Sequence, residues 1–83
     1  MDKYDMEEAA IVLKNSANMR KLVREKIRSD SIRKQIIYIL GEELKKDCEL
    51  YPKAILAVTD IIKKATSEEQ VMQMLKEKYP QYS

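Results

Sequence analysis

Apolar residues recur every three to four positions along most of the chain, which is the pattern of amphipathic helices. Strand-like alternation of apolar and polar residues never persists beyond a few positions. Clusters of polar, cap-forming residues divide the pattern into segments. The first two predicted helices cover about residues 6–14 and 17–28, and the third starts near residue 32 and precedes a boundary at residues 51–52. The fourth covers about residues 52–65, and the fifth runs from the boundary at residues 66–70 to about residue 79. We therefore expect an all-α fold: a compact bundle of four to five short helices in a single domain of residues 1–83.

The boundaries of these helices rest on the polar clusters. Asn15, Ser16 and Asn18 favour helix caps over helix interiors, so we predict a break between the first and second helices. Residues 29–31 give a second break by the same argument. The clearest boundary is at residues 66–70, where Thr or Ser is followed three positions later by Glu or Gln, as in a capping box.

Gly41 lies inside the third predicted helix and has two interpretations. It either allows a close crossing with another helix, or acts as a C-cap that splits the helix in two. The apolar period continues through Leu44, so we favour the crossing. Cys48 continues the same stripe, which predicts a small buried side chain. Pro80 ends the last helix, and we expect residues 81–83 to fray.

The core must be aliphatic, because the chain contains neither Phe nor Trp. The fourth predicted helix is apolar almost all round, which is typical of a central helix. The residues predicted to be buried are Ile36, Ile39, Leu40, Val58, Ile61, Ile62 and Leu75. Four or five short helices cannot cover all the apolar residues, so we expect a homodimer.

The composition removes several classes of function. The chain has no His, the commonest general base and metal ligand, and its single Cys excludes both an intrachain disulfide and a cysteine-rich zinc site. One Gly cannot form a glycine-rich phosphate loop. No apolar run approaches the roughly 18 residues of a membrane span, and the acidic N-terminus is unlike a secretory signal. We expect a cytoplasmic, non-enzymatic protein without catalytic residues, metal or cofactor.

Positive charge is concentrated in one segment, although the net charge is only +2. Residues 14–34 hold eight basic and two acidic residues, and they include all four Arg of the chain. Arg20, Arg24 and Arg28 follow one another at intervals of four, so they share one face of the second predicted helix. Because Arg can bind carboxylate and phosphate with two parallel hydrogen bonds, this face is suited to anions. The candidate partner-binding residues are Arg20, Lys21, Arg24, Arg28 and Arg33.

Several interpretations of this basic face remain open. It is either a face that is solvated or paired with acids of the first or third helix, or a surface for an acidic protein partner, or one for nucleic acid. No helix-turn-helix fits, since its recognition helix would begin with Glu42 and Glu43 and be repelled by phosphate. The first hypothesis is a protein-interaction or regulatory module, such as a small inhibitor, immunity-type or assembly protein. The alternative is a nucleic-acid-binding accessory protein that contacts phosphates through its arginines.

Overall fold

The computed structural model describes the backbone of residues 6–82 and the side chains of residues 9–82. Within this range the chain forms a succession of helices and ends in a short 3-10 turn. The elements are α1 (Met6–Lys26), α2 (Asp30–Lys46), α3 (Leu50–Lys64), α4 (Glu68–Lys78) and the turn Pro80–Tyr82. The described residues contain no strand, so the predicted small all-α bundle is confirmed.

The helix α3 is the centre of the bundle, since α1, α2 and α4 all contact it. Its buried side chains are Ala54, Ile55, Val58, Ile61 and Ile62. All seven residues predicted to be buried are buried, and Met19, Ile27 and Val71 join them in the same core. The apolar surface of α3 therefore sets where the other helices lie.

The predicted break at residues 15–18 is wrong, because α1 is continuous through it. Asn and Ser inside a helix each cost only about 0.5 kcal/mol relative to Ala. Against this, the apolar positions of α1 continue in register across the segment, and Val12, Met19 and Val23 all pack on the core. Tertiary packing of one unbroken apolar face outweighs the local preference of three polar residues for caps.

The start of α4 follows the predicted capping pattern closely. The Oγ of Ser67 accepts a hydrogen bond from the backbone N–H of Gln70 at 3.2 Å. In return, the Gln70 side-chain oxygen accepts from the backbone N–H of Thr66 at 2.6 Å. This reciprocal pair satisfies donors that the first turn of a helix otherwise leaves open.

The C-terminal turn is docked on the bundle, so the prediction that it frays is wrong for residues 81 and 82, while Ser83 lies outside the described residues. The Tyr82 hydroxyl donates to Glu43 Oε2 at 2.8 Å, and Gln35 Nε2 donates to the Tyr82 carbonyl at 2.7 Å. The Tyr82 ring also meets Tyr38 edge-on. These contacts on α2 order the turn and give the buried Glu43 carboxylate a partner.

Cys48 is exposed, which contradicts the predicted buried position. The helix α2 ends at Lys46, so the helical period that placed Cys48 on the apolar stripe has stopped before the chain reaches it. A stripe predicts burial only for as long as the helix that carries it continues.

Gly41 lies inside the unbroken α2, as predicted, but not at a close helix crossing. A Cβ atom built on Gly41 would have no heavy atom within 4 Å, and the residue has no positive φ. The predicted crossing is therefore wrong. Nothing in the packing or in the backbone conformation requires glycine at this position.

Replacing Gly41 by alanine should stabilise the protein. Alanine has the higher helix propensity and restricts the unfolded chain more than glycine, which together contribute about 0.5–1 kcal/mol. We expect the melting temperature of Gly41→Ala to rise by roughly 2–6 °C in thermal denaturation followed by circular dichroism. A fall in the melting temperature would mean that a neighbouring helix approaches Gly41 closely after all.

Candidate binding groove between α1 and α2

A groove of about 410 Å³ separates α1 from α2. Both helices pack on α3, and the space between them stays open. Its described lining residues are Ala17, Met19, Arg20, Val23 and Arg24 from α1, and Arg33, Ile36, Ile37 and Leu40 from α2. We call this the α1–α2 groove.

The floor of the α1–α2 groove is apolar and continuous with the core. Met19, Ile36 and Leu40 are buried, and Val23 is half-buried. Ile37 stands at the edge of the groove with 69% of its surface exposed, a large apolar side chain facing water. The apolar surface that a partner could still cover belongs to Ala17, Val23 and Ile37, and covering it would release water, as is typical of binding sites.

Arg20 and Arg24 lie one turn apart on α1, and both are exposed at the groove. Neither guanidinium forms an ion pair within the part of the chain whose side chains are described. The acids of α2 that were considered as partners pair with lysines instead, Glu42 with Lys45 and Glu43 with Lys46. Two arginines beside an apolar floor are therefore available to an external anion.

Arg33 also lines the groove, but its guanidinium is held inside the protein. Its Nε and Nη2 donate to the carbonyl oxygen of Ile27 at 2.9 and 2.6 Å. Ile27 directly follows the last residue of α1, so this carbonyl belongs to the negative end of the helix dipole. Arg33 therefore fixes the corner between α1 and α2. Its charge lies at the end of the groove beside the linker, residues 27–29, that joins these helices.

The remaining two candidate residues lie outside the groove. Arg28 comes after the end of α1, in the linker, so the expected stripe of three arginines on one helix has only two members there, Arg20 and Arg24. Lys21 is exposed on α1 but does not line the groove. The structure thus brings Arg20, Arg24 and Arg33 together and separates them from Arg28 and Lys21.

Glu68 holds the linker from the opposite side. Its Oε1 accepts hydrogen bonds from the backbone N–H groups of Arg28 at 2.6 Å and Ser29 at 2.9 Å. These bonds, chiefly the one from Ser29, together with the nearby charges of Arg28 and Arg33, lower the pKa of the Glu68 carboxyl below its ordinary value. Nothing in the sequence pointed to this role, because the bonded groups lie about 40 positions apart.

The lowered pKa predicts how Glu68 contributes to stability at different pH values. Because its folded pKa lies below its unfolded value, the ionised carboxyl stabilises the fold above about pH 4.5, and this contribution disappears as the pH falls through the folded pKa. Glu68→Gln should therefore melt a few degrees below wild type at pH 7, and the difference should vanish at the acid end of a pH series.

The matched control for this experiment is Glu69→Gln. Glu69 is the next residue of α4, is exposed and shares the first turn with Glu68, but it has no hydrogen bond to the linker. Its melting temperature should stay close to that of wild type throughout. Equal effects of the two substitutions would show that charge at the start of α4 matters, and not the bonds to the linker.

The other features of the described chain suggest no further chemistry, and comparison with known proteins adds none. The described side chains include no group of three or more Cys, Asp or Glu able to hold a metal ion, and no described helix is long and apolar enough to cross a membrane. Comparisons with protein families, with curated proteins and with solved structures find no match to this chain.

Proposed function

We propose that this protein is a non-enzymatic interaction module, a small regulator, inhibitor or assembly protein, that binds a protein partner in the α1–α2 groove. The observation that carries the proposal is the pairing of an apolar floor with the two arginines that have no ion-pair partner in the described structure. Arg is enriched at the energetic centres of protein interfaces, where a desolvated fork binds a carboxylate. The single, exposed Cys48 is compatible with the reducing cytoplasm, where we place the protein.

The apolar floor favours a protein over nucleic acid as the partner. Binding to phosphates uses cations on an open surface and gains little from apolar side chains beneath them. Ala17, Val23 and Ile37 give the groove an apolar lining that is still open to solvent, and binding to phosphates alone would leave it unused. Nucleic-acid binding through Arg20 and Arg24 is the alternative function, and the experiment below distinguishes the two.

Photocrosslinking from the groove tests the proposal. A benzophenone side chain replaces Ile37 at the edge of the groove, and in a matched control it replaces Leu56, which is also about half exposed but lies on α3 outside the groove. After irradiation in extract of the source cells, the Ile37 position should give one discrete adduct that protease destroys and nuclease does not. The Leu56 position should not give this adduct, and any product there should be the chain crosslinked to a second copy, at twice the chain mass.

Charge reversal then shows whether the arginines are used. The adduct should be lost from the Arg20→Glu/Arg24→Glu double variant. It should survive in Lys14→Glu/Lys21→Glu, which makes the same charge change on an exposed part of α1 that does not line the groove. A nuclease-sensitive adduct, equal adducts from both crosslinking positions, or no adduct from Ile37 would each contradict the proposal.

We also propose that the protein forms a homodimer through apolar side chains outside the groove. Ile11, Leu13 and Leu56 are each more than half exposed, and none of them lines the groove. A two-fold contact would cover them on both copies at once and leave the groove accessible.

Sedimentation equilibrium should show a species of twice the 9.8 kDa chain mass at about 100 μM protein, a concentration that populates dimers with dissociation constants tighter than tens of micromolar. Leu56→Lys should lower the fraction of dimer without lowering the melting temperature of the monomer. A purely monomeric wild-type protein at this concentration would contradict the dimer.

A further inference from the structure

Resting on the proposed function, we infer that the occupant of the α1–α2 groove is an acidic amphipathic helix of another protein. The inferred helix is about three turns long. It lays an apolar face on the floor of the groove and points its carboxylates at Arg20 and Arg24. The inference rests on three observations. The walls of the groove are helices, its described charged residues are arginines, and these arginines are distributed unevenly along it.

The walls favour a helix over an extended peptide. An extended peptide that binds by strand addition needs a sheet edge, and the described residues contain no strand; one that binds in the polyproline II form uses an aromatic groove, and no described aromatic residue lines this one. The backbone groups of α1 and α2 beside the groove are already bonded within their helices. A helical guest satisfies its own backbone and offers only side chains, which is what such a groove can accommodate.

The packing of the bundle also leaves room for a helix between α1 and α2. Both α1 and α2 rest on α3, and a helix laid in the groove between them would pack against both, as neighbouring helices do in a bundle. From Ala17 to Arg24 the α1 wall is about 10 Å long, at 1.5 Å per residue. Two turns of a guest helix cover this length with apolar residues spaced three, four and seven apart, and a third turn extends beyond the wall.

The charge around the floor favours acidic residues on the guest. Among the residues whose side chains are described, three arginines and no acidic residue line the groove. The guanidinium of Arg33 is bonded to Ile27, whereas those of Arg20 and Arg24 have no ion-pair partner in the described structure. An arginine–carboxylate pair at the edge of an apolar floor is partly shielded from water, where it is stronger than on an open surface.

The arrangement along the groove predicts where the acids lie on the guest. Arg24 and Arg33 are each about one turn from the linker, whereas Ala17 and Leu40 lie farther from it on the two walls. Arg20 lies midway along the α1 wall, so the arginines occupy the middle of the groove and its end near the linker, and the far end is apolar. The guest should carry its carboxylates, spaced four apart, at the end nearer the linker, and its larger apolar side chains at the other end.

The test uses a synthetic peptide of about 14 residues whose helix is stabilised by a side-chain crosslink on the outer face, because free peptides of this length are barely helical. In the acidic peptide, leucines follow a first leucine after three, four and seven positions. Two glutamates, four positions apart, lie at one end. A second peptide replaces both glutamates by lysine. A third keeps the composition of the acidic peptide and scrambles its helical period.

The acidic peptide should bind the wild-type protein at least tenfold more tightly than either control, in fluorescence anisotropy at constant salt. The Arg20→Glu/Arg24→Glu variant should reverse the preference between the acidic and the lysine peptides. The Lys14→Glu/Lys21→Glu variant should keep the wild-type preference. Amide shifts in nuclear magnetic resonance spectra on binding should concentrate in residues 17–24 and 33–40, where the groove-lining residues lie.

Three results would overturn the inference. The first is equal binding, or no binding, of the acidic and lysine peptides. The second is a DNA or RNA duplex that binds the same residues more tightly than the acidic peptide does. The third is a protein whose dimer dissociates on Ile37→Lys substitution, which would assign the groove to a second copy of the chain.

Failure of the inference can be distinguished from failure of the proposed function. Crosslinking from Ile37 detects any polypeptide in the groove, whatever its charge, whereas the peptide pair detects charge alone. A protein adduct from Ile37 combined with peptides that do not differ in affinity would overturn the acidic helix and leave the interaction module standing. Absence of the adduct would remove the proposed function itself.

Discussion

Burial of apolar side chains on α3 is the interaction on which the rest of the structure depends. Ile55, Val58 and Ile62 are almost completely buried, and burial of one such side chain contributes about 1.5–3 kcal/mol. The helices α1, α2 and α4 all use α3 to cover their own apolar faces. With no disulfide in the chain, this shared contact is the principal force that orders a small domain.

The groove lies between α1 and α2, which both pack on α3. Two side chains hold the corner between these helices. The Arg33 guanidinium donates to the carbonyl oxygen of Ile27, directly after α1. The Glu68 carboxylate accepts from two backbone N–H groups of the linker. The positive Arg33 lies at the C-terminal end of α1, and the negative Glu68 lies at the N-terminal end of α2. Each side chain is therefore opposite in charge to the end of the helix dipole beside it. Each charge thus stabilises the helix end beside it.

This arrangement divides the arginines of the chain by role. Arg33 is occupied with the corner, and Arg28 lies in the linker, whereas Arg20 and Arg24 face the apolar floor from α1. The positive charge of the groove therefore comes from one guanidinium that is hydrogen-bonded to the backbone and from two that, within the described residues, are not. A partner bound there meets one fixed cation and two that can adjust to it.

The C-terminal turn has a comparable effect on the other side of α2. Tyr82 bonds the buried Glu43 carboxylate and receives a bond from Gln35, so α2 is held by contacts on both sides. Buried carboxylates require such partners, because an unpaired charge inside a protein is costly. With α2 fixed in this way, the wall that carries Ile37 and Leu40 is a rigid part of the bundle.

The sequence by itself determined the fold class, the buried aliphatic residues of α2, α3 and α4, the capping pattern at Ser67 and the segment in which positive charge collects. These follow from helical periodicity and from cap residues, which act within a few positions of one another. Only the tertiary structure decided that α1 continues through Asn15 and Ser16, that Cys48 is exposed, that Gly41 faces open space and that Tyr82 is docked. It also decided which arginines share a groove and that Glu68 binds the linker. The reason is physical: local preferences amount to a few tenths of a kcal/mol, whereas contacts between distant residues decide burial and pairing, and no local pattern encodes them.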